Sequence, residues 1–285
     1  MCIRDSALTG WREDATCDNW GSFCYIRDLK AGEFWSTTHQ PTLKETNHYE
    51  AIFSQGRIEF RRTDNEIELH TEIVVSPEDN VEIRRVHVKN HSRSSRNIEI
   101  TSYGEVVIAT PISDESHPAF SNLFVQTEII SAQHTILCTR RPRSKDEAPP
   151  FMFHLMKLAE GDAENISFET SRDKFIGRGN TTLSPRALRQ LEPLSNSQGS
   201  VLDPIVSIQY RITIPKEETA IIDIVTGIAE NRSTCQNLVD KYQDRNFRNR
   251  AFELSWTYSE VVLRQINATE TDAQLYGRLA SSVIF

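Results

Sequence analysis

The strongest constraint on this chain is a period of two in its hydrophobicity, which dominates up to about residue 230. In one such run, Ile67, Leu69 and Ile73 share one side and Glu68 and His70 share the other. This alternation predicts a strand with one buried and one solvated face. The chain contains roughly a dozen runs of this kind in all, at the spacing typical of β-sandwiches. Because the links between them are mostly short, we expect antiparallel pairing and two packed sheets that bury the apolar faces.

One predicted strand changes phase along its length. Its apolar positions are Val81 and Ile83 and then Val86 and Val88, so the pattern slips by one residue. A β-bulge between Ile83 and Val86 would explain the slip. The full set of predicted strands covers residues 23–28, 49–53, 57–62, 66–75, 81–89, 98–108, 124–130, 135–139, 151–158, 166–170, 201–214 and 219–227.

Three links are longer than the others and cover residues 109–122, 140–150 and 177–200. Links of this length are usually either functional or mobile. In the last one, Ser184 followed by Pro185 predicts the start of a short helix, with the serine as its N-cap.

The period becomes helical after about residue 229. Ser233 is expected to cap a helix through Arg245, and Thr269 or Thr271 is expected to cap the last helix. The helix between them presents a packing face formed by Phe247, Ala251, Leu254, Tyr258, Val261 and Gln265. The last helix presents an apolar face formed by Leu275, Leu279 and Val283. We therefore predict a β domain over residues 7–230 and a helical linker over residues 231–285. The apolar end predicts that a further domain follows.

Composition excludes several classes of protein. With 32 Lys and Arg against 40 Asp and Glu, the net charge is −8 and no basic tract occurs, which argues against a nucleic-acid partner. No run of 18 apolar residues occurs, so no membrane span is predicted in this chain. The five cysteines are widely spaced without a CxxC pair, which favours a reducing compartment over a disulfide framework or a structural zinc site.

Sequence motifs of known chemistry are also missing. The chain has no HExxH, Walker-type, GxSxG or dinucleotide-binding pattern, and its eight histidines are scattered. We therefore predict no cofactor, no catalytic residue and no metal ligand within this chain. Metal ligation by any set of these histidines could arise only through tertiary contact.

Two groups of residues are candidates for binding a sugar. The first is Trp11, Arg12 and Trp20, since tryptophan rings stack on sugar rings; Trp35 lies nearby in the sequence. The alternative is that these tryptophans pack in the core. The second group is His117, Phe120 and Asn122, which precede a strand: His117 and Asn122 could bind hydroxyls or phosphate, with Phe120 as a wall. The alternative for this group is that Phe120 closes the edge of the sandwich.

A third candidate is the basic stretch of Arg140, Arg141 and Arg143 in an otherwise acidic chain. Guanidinium groups match both phosphate and the carboxylates of a partner, so this stretch is a candidate phosphate or partner contact. The alternative is a solvated loop whose charges contribute little.

Long ordered segments of the chain resemble one family. The segments that carry the resemblance include LTGWREDATCDNWGSF, ELHTEIVVSPEDNVEIRRVHVKNHS, HPAFSNLFVQTEI, LCTRRPRS, GSVLDPIVSI and FELSWTYSEVVLRQINATETDAQLYGRL. Over residues 8–285 the chain is similar to the glycoside hydrolase family 94 region, formerly glycosyltransferase family 36, of the cyclic β-1,2-glucan synthases. The resemblance implies a large antiparallel β-supersandwich of the galactose-mutarotase-like kind, then C-terminal linker helices, then an (α/α)₆ barrel. Family strands that precede the LTGWRED segment are expected to be absent.

The resemblance also implies function. In the family, the barrel carries the general-acid aspartate and the phosphate pocket of an inverting glycoside phosphorylase, and no residue here matches those motifs. We therefore expect an accessory domain without activity of its own. Its expected partners are β-1,2-glucan or a glucooligosaccharide, its own barrel and a second copy in a homodimer. The parent protein is expected at the cytoplasmic side, anchored in a bacterial inner membrane.

Two other functions stay open at this stage. The first is a free-standing carbohydrate-binding module, which the tryptophans near the N-terminus favour. The second is a mutarotase-like epimerase, which would use a histidine and a carboxylate as acid and base. Fold similarity alone says little about chemistry, so the arrangement of side chains has to distinguish these functions.

Overall fold

A computed structural model describes residues 2–3, 6–10, 19–142, 144, 147–161 and 163–284 and contains two large antiparallel sheets. The strands are β1 (Cys2–Ile3), β2 (Ser6–Ala7), β3 (Ser22–Asp28), β4 (Glu33–Ser36), β5 (His48–Phe53), β6 (Ile58–Asp64), β7 (Ile67–Val75), β8 (Val81–Asn90), β9 (Arg96–Glu105), β10 (Val125–Ile130), β11 (Thr135–Arg140), β12 (Phe151–Leu158), β13 (Glu164–Ser171), β14 (Gly199–Ser200), β15 (Pro204–Ile214) and β16 (Thr219–Ala229). The helices are α1 (Pro111–Ser116), α2 (Pro118–Asn122), α3 (Arg172–Ile176), α4 (Arg186–Arg189), α5 (Arg232–Gln243), α6 (Arg245–Gln265) and α7 (Glu270–Ile284).

The two sheets have nine and five strands. The nine-stranded sheet has the order β14-β10-β11-β12-β16-β8-β7-β6-β5, and the five-stranded sheet has the order β13-β15-β9-β3-β4. A separate pair, β1 and β2, is also antiparallel. The prediction of a mainly-β, antiparallel sandwich followed by helices is confirmed, and each predicted strand is present with its ends displaced by a few residues. The additional strands β1, β2, β4 and β14 have only two to four residues, too few to show an alternation.

The core lies between the sheets. Ile26 and Ile100 from the five-stranded sheet pack with Leu69 and Val88 from the nine-stranded sheet, and all four are fully buried. Trp35 on β4 belongs to the same core and is also fully buried. It therefore has no surface on which a sugar could stack, and the packing alternative is correct for this tryptophan.

The predicted β-bulge in β8 is wrong. The register of β8 with β7 and with β16 is continuous over the whole strand. Val86 and Val88 face the core between the sheets, whereas Val81 and Ile83 belong to a second apolar cluster on the outer face of the nine-stranded sheet. The phase slip therefore marks a change of buried face along the strand. The first half of β8 is apolar on the outer face of the sheet, and the second half is apolar on the face toward the core.

Helices cover the outer face of the nine-stranded sheet. Cys235, Val239 and Tyr242 of α5 and Ala251 of α6 are buried against it. Asn231, not Ser233, is the N-cap of α5, because its side chain accepts a hydrogen bond from the Thr234 backbone N–H at 2.9 Å. The predicted face of α6 is also displaced: its buried residues are Arg248, Ala251, Ser255 and Leu263, while Phe247, Tyr258 and Val261 are exposed.

The segment over residues 177–200 covers the outer face of the five-stranded sheet. Ala187, Leu188 and Leu194 pack there on Tyr25 and Tyr103. The predicted short helix is present as α4, but its N-cap is Pro185 and no side chain caps it. This long link is therefore part of the packed structure.

Buried ion pairs attach α6 to the nine-stranded sheet. Asp223 on β16 is fully buried and accepts from Arg85 Nε and from Arg248 Nε, each at 2.7 Å. Arg248 also donates to the carbonyl oxygens of Tyr242 and Gln243, where α5 ends. Asp223 therefore connects two strands with the junction of two helices.

We expect Asp223→Ala to lower the free energy of unfolding by about 3–5 kcal/mol, because it leaves the buried guanidinium of Arg248 and the half-buried guanidinium of Arg85 without their carboxylate. Urea unfolding followed by circular dichroism measures this change. Glu160→Ala is the matched control, since it removes the partner of Arg245 in an exposed pair and should cost at most about 1 kcal/mol. Equal losses in the two variants would contradict the role given to Asp223.

A buried histidine joins the two sheets across the core. His154 on β12 pairs through Nε2 with the Ser102 hydroxyl of β9 and through Nδ1 with the Thr226 hydroxyl, both at 2.9 Å. Burial lowers the pKa of His154 from 6.5 to about 3, so the side chain is neutral in the folded protein at neutral pH.

This pKa predicts acid sensitivity. Below pH 6.5 the unfolded chain binds the proton that folded His154 rejects, so the free energy of unfolding falls as the pH drops from about 6.5 toward 3. Between pH 7 and pH 5 the His154 contribution to this loss is about 2 kcal/mol. We expect the loss over this pH range to be smaller by that amount in His154→Gln, measured by urea unfolding at both pH values. The same loss in both proteins would contradict the assignment.

Candidate functional site

A pocket with a volume of about 440 Å³ opens at one edge of the five-stranded sheet, beside α1 and α2. This volume lies in the range of small-molecule sites, roughly 300–1,000 Å³. Its walls combine an indole ring and several apolar side chains with a few charged and amide groups. The described lining residues are Gly10, Trp20, Glu105, Val106, Val107, Asp114, Pro118, Ala119, Asn122, Arg172, Leu202, Asp203 and Pro204.

Antiparallel pairing brings the charged groups of this pocket together. Glu105 is the last residue of β9, Asp203 immediately precedes β15, and Arg172 immediately follows β13. The register pairs Ile205 with Glu105 and Ser171 with Pro204, so these three strand ends lie side by side. Residues distant in sequence thereby share one edge of the sheet.

Arg172 lies between the two carboxylates. Its Nη1 is 3.3 Å from Asp203 Oδ2 and its Nε is 3.6 Å from Glu105 Oε1. The Asn122 amide donates to Asp203 Oδ1 at 3.2 Å, and the Tyr103 hydroxyl donates to Glu105 Oε1 at 3.2 Å. The pocket therefore has one fixed cation and oriented donors and acceptors beside an aromatic ring.

The ionisation of these groups follows from their surroundings. Burial raises the pKa of Asp203 above its ordinary value, and the charge and hydrogen bond of Arg172 oppose this rise. For Arg172, burial acts to lower the pKa, but Tyr103, Asp203 and Glu105 together raise it above its ordinary value. Arg172 therefore stays charged at any physiological pH. The described lining includes no serine, cysteine or histidine.

The structure brings two of the predicted sugar-binding residues into this pocket. Trp20 and Asn122 both line it, and Trp20 is half-buried. His117 is exposed and precedes α2, where its carbonyl oxygen accepts from the Ser121 N–H at 2.9 Å. Phe120 is 59% exposed and packs edge-on against Phe124, outside the lining.

The other predicted residues either lie away from the pocket lining or fall outside the described residues. Arg140 donates to the carbonyl oxygens of Val107 at 2.9 Å and of Ser121 at 2.7 Å, and so connects the pocket wall to α2. Arg141 is exposed and lies over the Phe124 ring at 5.7 Å. Trp11, Arg12 and Arg143 lie outside the described residues.

Sequence reasoning missed Glu105, Arg172 and Asp203. The signal available was their position, since each is a charged residue within about three residues of an end of a predicted strand. The hydrophobic alternation places these boundaries within a few residues, but it does not show which strand ends become neighbours. Knowledge of the strand order in the five-stranded sheet was required to find the pocket.

Comparison with known proteins identifies the family. The family model for the supersandwich domain of glycosyl hydrolase 94 matches residues 1–245. This chain belongs to that family, which confirms the resemblance and the supersandwich fold expected from the sequence.

Three curated proteins show where such domains occur. The chain is 30% identical over 279 residues to the cyclic beta-(1,2)-glucan synthase NdvB of Rhizobium meliloti (strain 1021), covering 98% of the chain and 10% of that protein. It is 24% identical over 221 residues to solabiose phosphorylase of Paenibacillus borealis, covering 77% of the chain and 27% of that protein. It is also 24% identical over 247 residues to N,N'-diacetylchitobiose phosphorylase of Vibrio furnissii, covering 86% and 30%. The chain therefore spans less than a third of the length of each relative.

Across the described residues, no helix combines the length and the apolar character that crossing a bilayer requires.

Proposed function

We propose that this chain is the accessory supersandwich of a glycoside phosphorylase-like region that acts on β-1,2-glucans, and that its pocket binds a glucooligosaccharide. The observation that carries the proposal is the meeting of Trp20 with Asn122, Asp203 and Arg172 in one pocket. An aromatic face beside oriented amide, carboxylate and guanidinium groups suits a sugar, whose ring C–H groups and hydroxyls need both kinds of contact.

The accessory role is supported by the family resemblance, since no residue here matches the general-acid aspartate or the phosphate pocket of the family's barrel. In the pocket, both described carboxylates nearest Arg172 pair with it, so they serve as oriented groups for binding. An epimerase would need a histidine beside a carboxylate, and the described lining offers none.

The exposed faces of α6 and α7 support a neighbouring domain. Tyr258, Val261, Leu275 and Leu279 are each more than 40% exposed, as expected for a surface that packs on a partner. We propose that this surface meets the catalytic barrel of the parent protein. The homodimer and the location at the cytoplasmic side of an inner membrane stay predictions from the family resemblance.

The accessory role predicts that this chain alone consumes no phosphate with β-1,2-glucooligosaccharides, because the general-acid aspartate is expected on the barrel. A phosphate assay over hours measures this, with a glycoside phosphorylase acting on its own disaccharide as the positive control. Turnover above the buffer rate by this chain would contradict the accessory role.

Sugar binding predicts saturable heat in isothermal titration calorimetry with β-1,2-glucooligosaccharides. We expect Trp20→Ala to weaken the affinity about fivefold, since ring stacking contributes about 1 kcal/mol. Trp256→Ala is the matched control, because Trp256 is 54% exposed on α6 and does not line the pocket. Circular dichroism checks that both variants fold.

Three results would contradict the assignment of the pocket: no saturable binding, unchanged affinity in Trp20→Ala, or an equal loss in Trp256→Ala. Saturable binding by this chain without its barrel would also support the alternative of a free-standing carbohydrate-binding module. Activity assays on the full-length parent protein separate the two functions. If the domain is accessory, replacing Trp20 should change the parent's activity on long glucans.

A further inference from the structure

A second group of chemically active side chains lies on the outer face of the nine-stranded sheet, the face on which α5 and α6 pack. The register places His70 on β7 directly opposite His87 on β8. It also places Glu72 on β7 directly opposite Glu59 on β6. Residues 70 and 72 share a face because side chains alternate along a strand. Two imidazoles and two carboxylates therefore meet on three adjacent strands, and none of them lines the pocket described above.

The spacing of these groups is close to that of a metal site. His70, Glu72 and His87 each offer one ligand atom, and these atoms all lie within 4.8 Å of one another. Ligands of a tetrahedral zinc ion, each about 2.0–2.1 Å from the metal, lie about 3.3 Å apart. Small side-chain rotations would therefore close the site around an ion. The side chains are 26%, 12% and 28% exposed, which leaves a path for an ion to enter.

Arg57 orients the carboxylates for this purpose. It pairs with Glu72 Oε1 at 2.6 Å and with Glu59 Oε1 at 3.1 Å. The other oxygens face the imidazoles: Glu72 Oε2 is 3.1 Å from His87 Nε2, and Glu59 Oε2 is 2.8 Å from His70 Nε2. Because Arg57 pairs only with the two Oε1 atoms, a metal ion can replace the proton between His87 Nε2 and Glu72 Oε2 while Arg57 stays in place.

The ligand types select the kind of ion. Two imidazoles with one carboxylate suit zinc and similar transition metals, whereas calcium and magnesium require mostly oxygen ligands. Glu59 supplies the carboxylate partner that histidines bound to a metal usually have. Arg57 and Arg61, which also pairs with Glu59, offset the two negative charges and so limit the affinity.

We propose that His70, Glu72 and His87 bind one zinc-type divalent cation, with water as the fourth ligand and Glu59 and Arg57 as the groups that orient the ligands. The ion would connect β7 and β8 directly and β6 through Glu59. This site is independent of sugar binding, and its test does not require activity of the parent protein.

The first experiment measures zinc binding to the tag-free chain after removal of metals with a chelator. Isothermal titration calorimetry with zinc chloride should show one saturable site per chain, and magnesium and calcium should show none at the same concentrations. Cobalt(II), used as a spectroscopic probe, should develop visible absorption bands typical of a four-coordinate nitrogen and oxygen site. The absence of saturable zinc binding overturns the proposal, whatever the variants do.

The second experiment assigns the ligands. His70→Gln and His87→Gln should each weaken zinc binding at least about tenfold and abolish the cobalt bands. His91→Gln is the matched control: His91 pairs with Glu68 of β7 at 2.6 Å, but no third ligand lies there among the described residues. Its affinity should equal that of the unchanged chain.

Folding of every variant is checked by circular dichroism and thermal melting. Glu72→Gln, which keeps the shape of the side chain, tests the same site with the least disturbance to the sheet and should also weaken zinc binding at least about tenfold. Unchanged affinity in Glu72→Gln and both histidine variants overturns the proposal, as does an equal loss in His91→Gln.

Discussion

Burial of the nine-stranded sheet on both faces is the constraint on which the rest of the structure depends. An antiparallel sheet can leave one face in water, but Val81, Ile83 and Val225 make part of this outer face apolar. The helices α5 and α6 must therefore cover it. Covering it buries Asp223, whose charge then requires Arg85 and Arg248. One apolar patch thus determines where the helices lie and why a buried ion network joins them to the sheet.

The same sheets organise polar groups where the apolar packing ends. At the edge of the five-stranded sheet, neighbouring strand ends assemble Glu105, Arg172 and Asp203 beside Trp20. On the outer face of the nine-stranded sheet, beyond the part covered by apolar helix residues, the register assembles His70, Glu72 and His87. Both groups are held by strands whose hydrogen bonding fixes the backbone, which limits how far their side chains can move apart. The rigid scaffold explains how a domain without a catalytic motif can hold the two groups of side chains that we propose as binding sites.

The two proposed sites differ in chemistry. The pocket is concave and mixed in polarity, and membership of the glycosyl hydrolase 94 supersandwich family makes a sugar its natural candidate. The histidine cluster is half-buried and its side chains already form hydrogen bonds, so a metal ion would have to replace one of those bonds to bind there. Direct binding measurements with matched control variants address both questions without a catalytic assay.

The sequence by itself determined the longer strands, because alternation of side chains is a local property that needs no knowledge of partners, and its ordered segments indicated the family. It also named Trp20 and Asn122, in two separate candidate groups, and the structure places both at one pocket. Only the tertiary structure decided that the phase slip in β8 reflects burial on both faces, that α6 packs through Arg248 and Ser255, and that Glu105 meets Arg172. A hairpin register would have placed His70 opposite His87, because the two residues are equally distant from the turn after β7. These contacts depend on which distant segments become neighbours, and that choice is made by the packing of whole sheets and helices.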